Sequence, residues 1–188
     1  LGMSRGLGDV YKRQGYIGTE LCKIYSGESW SNSIVVIDSR FVSERVAQLR
    51  DLKIDFKQGG LLDKDFLKRN LFDADIVFHL AARAGVRQSF LDPISYIKDN
   101  SIATTNIANF VKDMNIKTLV LASTSSIYGD SGQEEMVEGV NEKIEPPSIY
   151  AASKFANKFS SADLSKVFVQ MKLSEVTKDS EDADSFVS

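Results

Sequence analysis

The stretch GYIGTELCKIYSGESWSNSIVVIDSR, residues 15–40, carries the sign of the fold. Gly15 and Gly18 open an amphipathic run over 16–26, a polar turn follows, and SIVVID (33–38) ends on Asp38. Apolar residues at helical spacing, then a brief Val/Ile-rich run, predict a helix leading into a buried strand. The alternation continues outward. KIDFKQ (53–58), DIVFHLA (75–81) and KTLVLAS (117–123) read as strands; 41–51, 63–71, 93–113 and about 148–165 read as helices. KVFVQMKL (166–173) is a candidate sixth strand. The 93–113 helix opens on Asp92-Pro93, an N-cap residue with Pro at the first helical position. Its apolar residues Ile94, Ile97, Ile102, Ile107, Phe110, Val111 and Met114 spread over more than one face. Strands alternating with helices predict an α/β protein, a parallel sheet covered on both sides with right-handed crossovers.

Bulk properties narrow the function. The chain has 188 residues, 43% of them apolar, and a formal net charge of −3. With no basic block, nucleic acid is not expected as a partner. No apolar run approaches a membrane span, and the first residues lack a signal-peptide core. Cys22 is the only cysteine and cannot form an internal disulfide, which fits a reducing, cytoplasmic setting. It falls in an amphipathic run and reads as a core residue. One Cys and one His do not make a Cys/His zinc site, so no metal is expected.

Gly15 and Gly18 match the last two glycines of a GxxGxxG loop, in which the backbone approaches a dinucleotide pyrophosphate at a helix N-terminus. The first glycine should stand at position 12, where there is Lys12. Taken alone, the two glycines equally describe a helix start with a small packing residue. Asp38 adds weight: a carboxylate twenty residues on, at a strand end, suits ribose hydroxyls and repels a 2′-phosphate, favouring NAD over NADP.

Further along, LVLASTSSIYGD (119–130) precedes IYAASK (149–154). Tyr150 and Lys154 lie four apart, on one face of a helix. A lysine cation beside a phenol favours the phenolate, and a tuned tyrosine serves as a general base near neutral pH. A YxxxK alone also describes a surface helix pair; a Ser/Thr-rich turn about 25 residues before it is far more specific.

These blocks resemble the NAD-dependent epimerase/dehydratase family, the extended short-chain dehydrogenase/reductases. GYIG (15–18), VVID (35–38), VFHLAARAGVRQS (77–89), YIKDNSIATTNI (96–107), LASTSSIYG (121–129) and YAASK (150–154) run in family order. HLAARAGVR with SSIYG looks most like UDP-glucuronate 4-epimerases. The resemblance implies a Rossmann-like, doubly wound sheet and a set of roles. Gly15, Gly18 and Asp38 hold the adenosine diphosphate end of NAD. Leu80, Ala81 and Ala82 line the cofactor, and Asn100 sits near the active site. Thr124 orients the sugar 4-hydroxyl, Tyr150 is the base, and Lys154 orients the nicotinamide ribose. Ser125, Ser126 and Arg87 fall on the substrate side; Arg83 and Arg87 are candidates for a uronate carboxylate or a phosphate. The implied chemistry is transient oxidation at C4 of a nucleotide sugar. Similar 4,6-dehydratases carry Asp-Glu after the catalytic Thr. Ser125 and Ser126 lack a suitable pKa for that acid and base, which favours epimerase. His79, at a strand end, reads as a packing residue rather than a catalytic one.

The chain also departs from the family. Residues 1–14 show no strand pattern and resemble a translated sequencing-adaptor leader, so they are set aside as non-native and the first strand is expected to be replaced. Gly60 stands where the family has an Asp that contacts adenine, and Ala103 where Gly is usual. Beyond about 165 the resemblance fades, and the small substrate lobe is expected to be missing. The organisation expected is a leader (1–14), a partial NAD-binding domain (15–170) and an acidic tail (171–188). The chain then reads as a fragment expected to be inactive, from a family whose members commonly form homodimers through the helices matching 93–113 and 148–165. Two other readings stay open: a non-catalytic dinucleotide-binding module, and a fragment that binds nothing.

Overall fold

The computed structural model describes residues 2–3, 16–28, 33–71, 73–128, 146–160 and 168–171. Among the described residues six parallel strands form one sheet: β1 (Gly2–Met3), β2 (Val35–Asp38), β3 (Asp55–Gln58), β4 (Ile76–His79), β5 (Thr118–Ala122) and β6 (Phe168–Met171). Their order is β3-β2-β1-β4-β5-β6, the doubly wound order of dinucleotide-binding sheets. The helices are α1 (Tyr16–Ser26), α2 (Ser43–Asp51), α3 (Lys64–Leu71), α4 (Val86–Leu91), α5 (Pro93–Tyr96), α6 (Ala103–Asp113) and α7 (Ile149–Ser160). A π-helical segment, Ile97–Ile102, joins α5 to α6.

The reading that residues 1–14 show no strand pattern needs correcting. Gly2 pairs with both Val35 and Val77, and Met3 with both Val36 and Phe78, so the segment set aside fills the centre of the sheet. The reason is main-chain chemistry. The facing edges of β2 and β4 carry N–H and C=O groups that must be paired, and any short extended segment satisfies them whatever its side chains. The sixth strand is present at Phe168–Met171 and reaches one residue into the segment assigned to the acidic tail. The rest of that tail lies outside the described residues.

Each strand sends alternate residues to opposite faces. Ile37, Val77, Leu119 and Leu121 pack with Leu67 and Leu71 of α3 and with Ile107, Phe110 and Val111 of α6. On the other face Phe78 and Val120 pack with Leu21 and Cys22 of α1 and Leu49 of α2. Cys22 is a core residue as expected, and burial pushes its thiol up to about 11. The apolar residues of the 93–113 helix cover more than one face, as expected, and the structure divides them. Ile107, Phe110 and Val111 are buried, while Ile94, Ile97, Ile102 and Met114 stay exposed. Asp92 caps its start, with Oδ1 accepting the Ser95 N–H at 3.3 Å. The short helix α4 was not foreseen. Six residues give too little periodicity to read, and Gly85, at φ +113°, turns the chain into it.

Candidate active site

Strand β5 delivers Thr124 to a 3₁₀ turn, Ser125–Tyr128, and that turn packs against α7. Thr124 Oγ1 accepts the Ser126 N–H at 3.3 Å and donates to Ser126 Oγ at 3.2 Å. The Ser125 side chain lies outside the described residues. Helix α7 begins where Ser148 supplies a cap, its Oγ accepting the Ala151 N–H at 3.0 Å. In the first turn Tyr150 is half-buried, its ring edge-on to Tyr96 with centroids 6.4 Å apart. Lys154 follows on the same helical face and is only 5% exposed. Burial pulls its ammonium down to about 8, and it has no ion pair among the described residues.

Beside α7 runs the loop after β4. Ala81 is buried in the core, Leu80 packs against the α1 side, and Ala82 is half-buried. The helix over the loop pins it. Asn100 Oδ1 accepts the Arg83 N–H at 2.6 Å and its Nδ2 donates to the Arg83 carbonyl at 3.1 Å. Tyr96 Oη donates to the Ala84 carbonyl at 2.7 Å. The Arg83 guanidinium is already engaged: Nε donates to Asp99 Oδ2 at 2.9 Å, Nη1 lies 3.5 Å from Asp92, and the group sits 5.7 Å over the Tyr96 ring. Its best ion pairs are thus internal. Arg87, on α4, is exposed.

At the other end of the sheet's carboxyl edge, Asp38 closes β2, half-buried, with Oδ1 accepting the Arg40 N–H at 2.9 Å. Gly18 lies in the first turn of α1; Gly15 is outside the described residues. A Cβ at Gly60 would meet nothing within 4 Å, so this position offers open space where the family Asp would stand.

The structure therefore gathers Thr124, Tyr150, Lys154, Asn100 and the 80–82 loop around the ends of β4 and β5. Asp38 and Gly18 stand at β2 and α1. His79 is 2% exposed, with Nε2 2.7 Å from Thr104 Oγ1, and burial and the Lys154 charge push its ring down to about 3. That is the packed residue expected, but one with a polar partner. Tyr96 and Ser153 went unread as site residues. The spacing of Tyr96, four before Asn100 on a helix, was an available signal; Ser153 gave none beyond its place in YAASK.

A doubly wound sheet, a carboxylate ending β2 and a buried lysine one turn after a tyrosine define a dinucleotide-binding domain of the dehydrogenase type. The residues suit NAD on structural grounds, since a nearly buried ammonium with no ion pair among the described residues suits a polar ligand such as a ribose. Residues 13–165 match the NAD dependent epimerase/dehydratase family, and the chain belongs to it. It is 31% identical over 157 residues to the dTDP-D-glucose 4,6-dehydratase of Dictyostelium discoideum, covering 74% of this chain and 36% of that protein. It is 45% identical over 83 residues to the UDP-glucuronate 4-epimerase of Thermodesulfobacterium geofontis, covering 44% of this chain and 25% of that one. The solved UDP-glucuronic acid 4-epimerase of Bacillus cereus, in complex with UDP-glucuronic acid and NAD, shares the fold at a TM-score of 0.70 and 22% identity, over 90% of this chain and 55% of that one. The chain thus spans a quarter to about half the length of these relatives. Among the described residues no helix is long and apolar enough to cross a membrane.

Proposed function

We propose that the chain is the NAD-binding portion of a nucleotide-sugar 4-epimerase acting on UDP-glucuronate or a related UDP-sugar. The observation that carries this reading is Lys154, buried and without an ion pair among the described residues, one turn after Tyr150 on a helix packed against the turn that follows Thr124. In this reading Asp38 holds the adenosine ribose, Gly15 and Gly18 face the diphosphate, and Leu80, Ala81 and Ala82 line the cofactor. Lys154 holds the nicotinamide ribose. Thr124 orients the sugar 4-hydroxyl and Tyr150 takes its proton. When bound, NAD supplies a hydride acceptor for sugar C4. Ser126 and Ser125 are assigned to the substrate side by the family resemblance, and Arg87, exposed on α4, is available to a carboxylate or phosphate.

The similarity to a 4,6-dehydratase supports a second reading within the family. Elimination of water needs an acid and a base beside the substrate, and the serine pair after Thr124 supplies neither. The exposed residues Ile94, Ile97 and Ile102 support pairing of two copies through the 93–113 helix, and sedimentation velocity tests it.

The test of function is calorimetric titration of the full chain with NAD and NADP, followed by incubation with NAD and UDP-glucuronate and separation of the 4-epimer. Tighter binding of NAD than of NADP, kept in Tyr150→Phe, is the expected result for this portion of the enzyme; epimer formation that Tyr150→Phe abolishes would show the portion to be active as well. No dinucleotide binding overturns the reading.

A further inference from the structure

The described part of the molecule holds a buried polar chain that the roles above do not use. Thr104 Oγ1 lies 2.5 Å from the Asn100 carbonyl oxygen and 2.7 Å from His79 Nε2. Two oxygens that close need the hydroxyl proton between them. Thr104 therefore donates to Asn100 and accepts from His79 Nε2–H, which leaves His79 Nδ1 as a bare acceptor with no partner among the described residues. At the other end Asn100 Nδ2 donates to Ser153 Oγ at 2.9 Å, and Ser153 Oγ donates to the Tyr150 carbonyl at 2.7 Å. Ser101 Oγ adds a bond to the Ser153 carbonyl at 3.2 Å. Thr104, Asn100 and Ser153 are all 0% exposed.

The direction of the bonds matters. In a helix the Tyr150 carbonyl is the acceptor for the Lys154 N–H, so the Ser153 hydroxyl grips the one peptide group that links the two site residues. The side chain that holds Ser153, Asn100, is the one that clamps the Arg83 backbone. Loop 80–84 and the first turn of α7 are thus fastened to a common anchor, and the anchor is tied to β4 through Thr104 and His79.

We propose that Ser153 is a positioning residue: its hydroxyl sets the placement of the α7 turn carrying Tyr150 and Lys154 against the loop after β4. The inference rests on the NAD-binding reading above and adds to it a residue that touches neither cofactor nor substrate.

The experiment compares Ser153→Ala with Ser89→Ala in the full chain. Ser89 is equally buried, and its Oγ donates to the Val86 carbonyl at 2.6 Å outside the polar chain. Thr104→Val, which breaks the chain at another link with an isosteric side chain, is the second variant and carries the test if Ser153→Ala does not fold. Each is titrated with NAD, melted, and examined by NMR with ring-¹³C tyrosine, the Tyr150 signal assigned through Tyr150→Phe. Ser153→Ala is expected to weaken NAD roughly fivefold, and Ser89→Ala to stay within about twofold of wild type. Ser153→Ala and Thr104→Val should also displace the Tyr150 signal, which Ser89→Ala leaves in place. Unchanged affinity and an unmoved Tyr150 signal in both chain variants overturn the inference alone, as does an equal effect of Ser89→Ala. A wild-type chain that fails to bind NAD overturns the underlying reading and this inference with it.

Discussion

Asn100 closes a two-point clamp on Arg83, taking its backbone N–H at 2.6 Å and giving a hydrogen bond to its carbonyl at 3.1 Å. The amide side chain does for the loop what a neighbouring strand does for a strand. It comes from the π-helical segment, and such segments often mark functional positions because the widened turn re-aims side chains.

Asn100→Ala is expected to be costly, because it strips partners from both Arg83 backbone groups and from Ser153. The loss should be about 3 kcal/mol. In a chain of this size that lowers Tm by about 10 °C. Asn100→Asp keeps the acceptor for the Arg83 N–H and loses both donations, so its melt should fall between those of wild type and Asn100→Ala.

Lys154 carries a stability cost that depends on pH. Its folded pKa, about 8, lies below the ordinary 10.5, so the unfolded chain binds more protons between those values. Stability should therefore rise as pH climbs through that window, while below it the full cost of the buried cation remains. The cost is roughly 3 kcal/mol, because each tenfold weakening of proton binding is worth about 1.4 kcal/mol. Lys154→Met should be more stable than wild type at neutral pH and lose the alkaline rise. Urea midpoints measured from pH 7 to 10 check both.

His79 is the only histidine of the chain, so its ring resonances need no assignment. With its pKa pushed down to about 3, the ring should hold one neutral tautomer, Nε2–H, from pH 8 down to pH 5. Long-range ¹H–¹⁵N correlation reads this directly. The unfolded chain takes up the proton near 6.5, so this group withdraws stability as pH falls through 6.5 towards 3. A ring that titrates near its ordinary value would contradict the burial of Nδ1, and a neutral ring carrying its proton on Nδ1 would contradict the Thr104 hydrogen bond as drawn.

Two glycines should respond in opposite ways. Gly85 stands at φ +113°, and a Cβ there would lie 2.7 Å from Gln88 Oε1 and 3.2 Å from Tyr96 Oη. Gly85→Ala should lose roughly 1–3 kcal/mol, mostly as backbone strain, since the Gln88 amide can swing away. A Cβ at Gly60 meets nothing within 4 Å and no positive φ constrains it. Gly60→Ala should be neutral or gain up to about 1 kcal/mol by restricting the unfolded chain. Paired thermal melts decide.

The sequence by itself determined the order and kind of the main elements, because each is written in local periodicity. VVID, IVFH and TLVLA each make a strand, Asp92 caps the helix that Pro93 opens, and Tyr150 and Lys154 share a face by spacing alone. That the apolar residues of 93–113 cover more than one face was legible for the same reason; which of them are buried was not. Tertiary structure decided what local pattern does not encode. Gly2–Met3 sits at the centre of the sheet because two strand edges demand main-chain partners, not because Gly and Met favour strands. Arg83 is spent on Asp99 and Asp92 because the helix above it folds back over the loop. Ser153 meets Asn100 across 53 residues of chain, a contact set by how α7 packs on the π-helical segment. Such contacts are fixed by packing and by the need to satisfy buried polar groups, and these conditions exist only once the chain has closed on itself.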